Sequence, residues 1–171
     1  INKTSSSKLF KEILISLDKL KDTLLIFTSP NADAGNYEIR RQMKKYVTAN
    51  SHKSKMFSSL GHNVFLSTLK TVDGIIGNSS SGIIEAPSFG LGTINIGDRQ
   101  KGREMAKSII NCRPQMKEID NALKKLNSKK FIDFLRKVKN PHAKGRTSKK
   151  IFNIIKIMKQ PKKLSKKFYD L

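Results

Sequence analysis

Short apolar runs constrain the fold of this chain more than any other feature of its sequence. The clearest, residues 23–28 (Thr-Leu-Leu-Ile-Phe-Thr), is almost continuously apolar, as in a strand that is buried on both faces. Similar short runs predict four more strands, at residues 56–60, 74–77, 93–97 and 107–111. Amphipathic segments separate and follow them and predict helices at residues 5–20, 36–47, 62–71, 80–89, 115–126, 128–139 and 147–159. Pro87 should shorten or bend the helix at 80–89.

This alternation of strand and helix predicts an α/β fold, with a Rossmann-like parallel sheet that carries helices on both faces. The 171 residues are enough for one such domain and too few for two well-cored ones. We expect the domain to span residues 1–159, followed by a basic tail at 160–171. The first residue is Ile1 and not methionine, which favours a fragment of a longer protein.

The charge is strongly positive and unevenly distributed. There are 35 Lys and Arg against 13 Asp and Glu, a net charge of +22. Residues 101–171 are rich in lysine, whereas residues 61–100 are close to neutral. Solvated helix faces explain such a pattern, and binding of a polyanion is the alternative. Tryptophan is absent, and Phe10, Phe131, Phe134 and Phe152 fall at core positions of predicted helices, so nucleic-acid binding is disfavoured.

The most informative segment is residues 77–86, which follows a predicted strand and opens a helix. Gly77, Asn78, Ser79 and Ser80 are small or polar, and free N–H groups at a helix start together with serine hydroxyls bind phosphate. Glu85, about one turn into the helix, is placed to accept hydrogen bonds from a ribose diol. A serine-capped helix with a solvent-facing glutamate is the alternative interpretation.

Two further polar loops follow predicted strands at the same edge of the sheet. Arg99 and Arg103, in the loop after residues 93–97, are two of only seven arginines and can contact a diphosphate or support the serine segment. An exposed surface loop is the alternative. Asn31 and Asp33, after the first strand, can reach a ligand or simply cap the next helix.

Several classes of site are disfavoured by what the sequence contains. Cys112 is the single cysteine, and the three histidines have no metal-binding spacing, so we expect no metal and no cofactor. No nucleophile–base pair and no partner carboxylate for Glu85 is evident, so we assign no catalytic residue. The single cysteine fits a cytoplasmic protein. The longest apolar runs are far shorter than a membrane span, so we expect no membrane partner.

In combination, five segments resemble one enzyme family, the hydrolysing UDP-N-acetylglucosamine 2-epimerases that serve sialic- and legionaminic-type sugar synthesis. The resemblance covers residues 23–158. Its segments occur in order and with family-like spacing, at residues 30–35, 59–61, 77–85, 95–97 and 99–103. The Lys excess at 144–167 and Leu91-Gly92 depart from the family pattern.

The resemblance implies that this chain is the C-terminal domain of a glycosyltransferase-B type fold, the half that holds UDP. By position, Ser79 and Ser80 would bind the diphosphate, Glu85 the ribose hydroxyls and the backbone near Leu60 the uracil edge. Asn31 and Arg99 would complete the nucleotide side, with Asp33, Asn78 and Arg103 as possible supporting residues.

The resemblance also implies a reaction and partners. The whole enzyme would eliminate UDP from UDP-N-acetylglucosamine, or from a 2,4-diacetamido relative, and add water to give an N-acetylmannosamine-type sugar. The isolated chain would be inactive, because the groups that move the C2 proton lie mainly on the missing N-terminal domain. That domain and a second copy of the chain are the expected partners. A non-hydrolysing epimerase, a related glycosyltransferase half and a basic nucleic-acid-binding protein are the alternatives.

Overall fold

A computed structural model of the chain describes residues 3–30 and 36–159. Within these residues the strands are β1 (Leu25–Thr28), β2 (Ser54–Phe57), β3 (Gly74–Gly77), β4 (Gly92–Ile96) and β5 (Ile109–Cys112). The helices are α1 (Lys3–Asp18), α2 (Asn36–Ala49), α3 (Gly61–Leu69), α4 (Ser81–Ile84), α5 (Met116–Leu126), α6 (Lys129–Leu135) and α7 (Thr147–Ile157). A short 3₁₀ helix, Ala86–Phe89, follows α4.

The described strands form two parallel sheets. One contains β1 and β2, with Leu25 opposite Ser54. The other has the order β3-β4-β5, with Gly74 opposite Gly92 and Thr93 opposite Ile109. Every pairing is parallel, so the predicted α/β fold with a parallel arrangement of strands is confirmed.

Strand β4 is the central strand of the β3-β4-β5 sheet and is buried at every position. Its residues alternate between two faces, as in any strand. Ile94 and Ile96 enter the main core with residues of α5 and α6. Thr93 faces α4, where its hydroxyl donates a hydrogen bond to the carbonyl oxygen of Gly82 at 2.8 Å. Helices therefore cover both faces of this sheet.

A second, smaller core lies around α3 and the 3₁₀ helix. It is built on Leu69, Ala86 and Leu91, with Ile75 of β3 packed against it. The neighbouring residue Ile76 packs instead against the main core. Thus β3 contributes to the core on both faces, although all four of its residues are only half-buried.

The burial predicted for the first strand is wrong. Leu25 and Phe27 pack against the main core, but Ile26 is 47% exposed and Thr28 is exposed. An apolar run indicates that a segment forms a strand. Whether that strand is buried depends on the elements that cover its two faces.

The chain divides into two compact units, residues 1–141 and 142–171. The first contains all described strands and helices α1 to α6, and the second contains α7. The side chains of α7 are exposed, including Ile151, Phe152 and Ile155. Of the phenylalanines expected in the core, Phe131 is buried and Phe10 half-buried, whereas Phe134 and Phe152 are exposed. The predicted tail at 160–171 lies outside the described residues.

Candidate functional site

Sharp turns end the two neighbouring strands β3 and β4. Gly77 closes β3 with φ of +151°, and Gly97 follows β4 with φ of +75°, conformations that side-chain-bearing residues rarely adopt. Because β3 and β4 are parallel and paired, the loops after them leave the same edge of the sheet. We call residues 77–81 the serine turn and residues 97–103 the arginine loop.

The serine turn is organised by its own hydrogen bonds. Ser79 is exposed, and its hydroxyl oxygen accepts a hydrogen bond from the N–H of Ser81 at 3.3 Å. The carbonyl oxygen of Ser80 accepts from Ile83 and Ile84 at 2.9 and 2.8 Å. Ser80 itself is half-buried and already has helical dihedral angles. Ser80 is therefore the N-cap residue of α4, and the hydroxyl of Ser79 accepts the N–H of the first helical residue, Ser81.

Helix α4 is much shorter than the sequence predicts. The expected helix at 80–89 is divided into α4, with four residues, and the 3₁₀ helix that contains Pro87. Proline lacks a backbone N–H and cannot continue an α-helix at that point. A single turn has only a small dipole, so a helix macrodipole contributes little to anion binding at this turn. Backbone N–H groups and the serine hydroxyls remain as donors at this turn.

Close packing holds α4 against β4. A Cβ atom built on Gly82 would lie 2.6 Å from Cγ2 of Thr93, which is closer than real Cβ atoms approach a neighbour. The hydroxyl of Thr93 donates to the carbonyl oxygen of Gly82, and both residues are buried. Glycine at this position therefore allows α4 to pack closely against the amino-terminal half of β4.

Gln100 connects the arginine loop to the serine turn. Its side chain is 3% exposed, and its Nε2 donates a hydrogen bond to the carbonyl oxygen of Asn78 at 2.8 Å. Arg99 and Arg103, which the sequence suggested for this supporting role, are both exposed. Sequence reasoning missed Gln100, because a polar residue in a polar loop gives no signal that it will be buried.

Asn95 is a second buried polar residue that sequence reasoning did not single out as a site residue. It lies on β4, is 2% exposed, and its Nδ2 donates to Oδ1 of Asn111 on β5 at 2.8 Å. Its Oδ1 is buried and accepts no hydrogen bond from the described residues. The same holds for Oε1 of Gln100. Two amide oxygens in the carboxyl-terminal part of β4 and the loop after it therefore have unused acceptor capacity.

Glu85 lies between α4 and the 3₁₀ helix, on a half-buried position. One of its carboxylate oxygens, Oε2, is buried and accepts no hydrogen bond from any described residue. Burial of an unpaired carboxylate oxygen is costly, and a hydroxyl donor on a ligand removes that cost. The geometry of Glu85 thus suits a ligand with hydroxyl groups better than it suits a solvent-facing surface residue.

Asn140 fixes the backbone on which Glu85 stands. Its Nδ2 donates to the carbonyl oxygen of Ile84 at 2.8 Å and to Oγ of Ser88 at 2.6 Å. These acceptors flank Glu85 on both sides in the sequence. The segment after α6 is therefore fastened to the turn that carries the carboxylate.

The remaining predicted site residues lie near the other sheet or outside the described residues. Leu60 is half-buried and precedes α3, where Gly61 donates its N–H to Oγ of Ser59 at 3.1 Å. Leu60 follows the carboxyl end of β2, which belongs to the two-stranded sheet. Ser79 and Glu85 follow β3, which belongs to the three-stranded sheet. Asn31 and Asp33 fall outside the residues that the structure describes.

The described ranges contain neither a cluster of metal-binding side chains nor a membrane-spanning helix. In residues 3–30 and 36–159, no group of three or more His, Cys, Asp or Glu side chains is placed to hold a metal ion. None of the described helices is long and apolar enough to cross a membrane.

The fold and these loops define an α/β protein with polar loops at the carboxyl ends of parallel strands, where proteins of this class bind their ligands. The sequence model of the UDP-N-acetylglucosamine 2-epimerase family matches residues 1–156. The chain belongs to this family.

Three curated relatives have similar sequences. A GDP/UDP-N,N'-diacetylbacillosamine 2-epimerase (hydrolyzing) from Campylobacter jejuni is 44% identical over 77% of this chain and 34% of its own length. Polysialic acid biosynthesis protein P7 from Escherichia coli is 36% identical over 94% of this chain and 41% of its own length. A UDP-N,N'-diacetylbacillosamine 2-epimerase (hydrolyzing) from Legionella pneumophila is 29% identical over 91% of this chain and 40% of its own length. The chain thus spans between 34% and 41% of the length of these relatives.

Proposed function

We propose that this chain is the UDP-binding part of a hydrolysing UDP-sugar 2-epimerase. Its family membership and the names of two relatives, which are hydrolysing 2-epimerases, support the reaction class. The polar loops after β3 and β4 support a ligand site on this part of the molecule. The single observation that carries the proposal is the buried, unpaired Oε2 of Glu85, which suits a ribose hydroxyl as its donor.

The roles of the other residues follow from their positions. The hydroxyls of Ser79 and Ser80 would donate to the diphosphate, with the exposed guanidinium of Arg99 as the cation beside it. Backbone groups near Leu60 would face the uracil edge, and Asn31 would complete the nucleotide side. Asp33, Asn78 and Arg103 would support these contacts, and the bond from Gln100 to Asn78 would hold the serine turn in place.

The whole enzyme would eliminate UDP from its substrate and add water to the resulting glycal, giving a 2-epimeric N-acetylmannosamine-type sugar. Its substrate would be UDP-N-acetylglucosamine or a 2,4-diacetamido relative, the class to which the names of the Campylobacter and Legionella relatives point. The P7 relative, named for polysialic acid biosynthesis, supports a role in sialic-acid-type synthesis. We place the protein in the cytoplasm, where nucleotide sugars would reach it, and expect it to form homodimers.

The catalytic groups that move the C2 proton would come from the rest of the enzyme. The chain alone would therefore bind UDP weakly and release none from UDP-N-acetylglucosamine. Release of UDP from that substrate by the purified chain would contradict this division of roles.

Titration of UDP into the isotopically labelled chain, followed by backbone amide NMR, tests the binding proposal. Affinities near 1 mM, equivalent to about 4 kcal/mol, are measurable in this way. We expect shifts at Leu60, at 79–85 and at Arg99, with UDP bound more tightly than UMP or ADP. Equal, diffuse shifts of the lysine-rich helices with every anion would contradict the proposal and favour polyanion binding.

Paired variants separate the role of Glu85 from a general effect of charge. Glu85→Gln replaces a charged carboxylate acceptor with a neutral amide. We expect the Kd for UDP to rise by about tenfold or more. Glu38→Gln makes the same change in net charge on α2, where Glu38 pairs with Arg41. The Kd of the Glu38 variant should stay close to that of the parent chain.

A further inference from the structure

A cleft of about 410 Å³ lies beside the carboxyl end of α6, and we call it the α6 cleft. Four of its lining residues are apolar and three are lysines: Met105, Phe134, Val138 and Pro141, and Lys107, Lys137 and Lys139. We propose that the α6 cleft binds an acidic peptide segment of a partner protein, and that this segment carries one large apolar side chain. The proposal does not rest on the nucleotide site, because no lining residue belongs to the serine turn or to the arginine loop.

Two segments of the first unit form the walls of the α6 cleft. One wall consists of the last turn of α6 and the residues that follow it, from Phe134 to Pro141. The other wall runs from Met105 to Lys107 and leads into β5. All of β5 and α5 separate these two segments in the sequence. The cleft therefore exists only when the first unit is folded.

The wall that contains the end of α6 is fixed at several points. Leu135 is buried in the main core, and Val138 packs against the same core. The N–H of Val138 donates to the carbonyl oxygen of Leu135 at 3.1 Å. Asn140, one residue before Pro141, is fastened to Ile84 and Ser88 by the hydrogen bonds described above. This wall is therefore held both by the core and by the turn that carries Glu85.

The opposite wall is held by β5. Ala106 is buried, and its carbonyl oxygen accepts the N–H of Ile109 at 3.1 Å. The sulfur of Met105 accepts a hydrogen bond from Nδ2 of Asn111 at 3.6 Å. Since both walls are held by neighbouring elements, the cleft is formed before any ligand arrives. A preformed surface loses little conformational entropy when it binds, which favours affinity.

The apolar lining of the α6 cleft is partly open to solvent. Phe134 is 40% exposed, although its ring lies 6.0 Å from that of the buried Phe131, measured between centroids. Met105, Val138 and Pro141 are half-buried. A large apolar side chain that entered the cleft would remove this surface from water, and an aromatic one could also contact the sulfur of Met105. The lining therefore suits a single apolar anchor of the kind that dominates protein interfaces.

Three lysines give the α6 cleft a positive rim. Lys107 comes from one wall, Lys137 and Lys139 come from the other, and all three are exposed. No ion pair between described side chains involves any of them. The acid on the last turns of α6, Asp133, lies instead 3.9 Å from Arg136. Charge complementarity therefore favours carboxylates on the occupant, and the argument depends on these three lysines and not on the net charge of the chain.

The arrangement fits a peptide better than it fits a small anion. Sites for small molecules orient their ligand with a few polar groups at fixed positions. The polar side chains among the described lining residues are the three exposed lysines, which are flexible point charges. Protein interfaces, in contrast, combine an apolar centre with a polar rim that stays accessible to solvent. A peptide with carboxylates on both sides of one apolar side chain would match the rim and the centre together.

Titration of three short peptides into the isotopically labelled 171-residue chain, followed by NMR, tests the proposal. Each peptide is acetylated at its amino end and amidated at its carboxyl end. Asp-Glu-Phe-Glu-Asp has both features, Asp-Glu-Ala-Glu-Asp keeps only the charge, and Asn-Gln-Phe-Gln-Asn keeps only the apolar side chain. We expect the first peptide to shift the backbone amides of Met105, Phe134 and Val138. Its Kd should be about tenfold or more below that of either control peptide, a difference of about 1.4 kcal/mol.

Paired lysine variants locate the contact at low ionic strength, where screening is weak. Lys137→Gln with Lys139→Gln removes two charges from the rim, and the Kd for Asp-Glu-Phe-Glu-Asp should rise by about fivefold or more. Lys129→Gln with Lys130→Gln removes the same charge from the exposed start of α6 and should change that Kd by no more than about twofold. All four positions are exposed, so both double variants should keep the amide spectrum of the folded parent chain.

Two results would overturn the proposal. Equal Kd values for the phenylalanine and alanine acidic peptides would mean that the cleft attracts anions of any kind and has no apolar anchor site. Equal losses of affinity in the two pairs of lysine variants would mean that the peptide is held by the basic surface in general and not by the α6 cleft. UDP affinity is measured separately on the same proteins, so failure of the nucleotide site does not affect the peptide result.

Discussion

Gly82 is the residue at which side-chain size most directly controls the position of the serine turn. Replacement by alanine would place a Cβ 2.6 Å from Cγ2 of Thr93, with both residues buried. We expect Gly82→Ala to lower the free energy of unfolding by about 1–3 kcal/mol, the usual cost of overpacking a core. Urea unfolding measures this loss, and amide shifts in the serine turn should accompany it.

The double variant Gly82→Ala with Thr93→Ser checks the cause of that loss. Serine lacks Cγ2 but keeps the hydroxyl that donates to the carbonyl oxygen of residue 82. The double variant should recover most of the stability that Gly82→Ala loses. An unchanged loss in the double variant would show that contact with Cγ2 is not responsible.

Gln100 offers a second prediction at the level of one side chain. Gln100→Ala removes the donor to the carbonyl oxygen of Asn78 and leaves a cavity in a buried position. We expect the free energy of unfolding to fall by about 1–2 kcal/mol and the Kd for UDP to rise, because the serine turn loses its support. Gln115→Ala, at an exposed position before α5, is the matched control and should change stability by no more than about 0.5 kcal/mol. Equal losses in the two variants would contradict a supporting role for Gln100.

At the scale of whole elements, the periodicity of apolar residues predicted the bounds of strands and helices where those bounds depend on the local sequence. The bounds predicted for β3 agree with the structure, and α5 begins one residue later than predicted and ends where predicted. The burial of β1 was wrong because burial depends on which elements cover a strand. The α-helix expected at 80–89 is shorter than that range because Pro87 interrupts it, and shortening is one of the two effects predicted for this proline.

The candidate site was predictable to a similar degree. Ser79, Ser80 and Glu85 were singled out because they follow a recognisable strand, and the structure places them around α4. The hydrogen bond from Gln100 joins residues that are 22 positions apart in sequence. This bond forms only because two loops pack against each other. Residue types and their spacing in the sequence do not predict that packing.

An ion pair joins the residue directly after α1 to α5, and its contribution to stability depends on pH. Lys19 Nζ lies 2.6 Å from Oδ2 of Asp120. The hydrogen bond from Lys19 lowers the pKa of Asp120 below its ordinary value of 3.8, and a hydrogen bond from Ser16 lowers it further. A carboxylate with a lowered pKa in the folded state stabilises the fold above the unfolded-state pKa. That contribution is lost as the pH falls through the folded-state pKa.

We therefore expect Asp120→Asn to lower the free energy of unfolding by about 0.5 kcal/mol at pH ~6, the typical worth of a partly exposed ion pair. The difference from the parent chain should shrink as the pH falls from about 3.8 through the lower folded-state pKa of Asp120, because the carboxylate of the parent then becomes protonated as well. Urea unfolding at several pH values measures both. Asp133→Asn is the control, because its 3.9 Å contact with Arg136 is long and exposed. A pH-independent difference for Asp120→Asn would contradict the assigned ion pair.

At the scale of the whole molecule, the main effect of the net charge of +22 is on stability, and the charge does not identify a binding partner. In four ion pairs between described side chains, at least one partner is more than half exposed. Such pairs contribute little each, so most of the lysine charge is opposed only by solvent and counterions. Like-charge repulsion then destabilises the compact state.

Salt should therefore stabilise this chain without binding to a particular site. Raising NaCl from about 20 mM to about 300 mM shortens the Debye length from roughly 20 Å to roughly 6 Å, so repulsion between distant lysines is screened. We expect Tm, measured by circular dichroism, to rise by several degrees, and KCl to give the same rise as NaCl. The chain ending at residue 159 lacks the four lysines of the tail, so its Tm should rise less with salt. If Tm instead rises with phosphate or UDP at constant ionic strength and not with NaCl, the charge acts through a specific anion site and not through general repulsion.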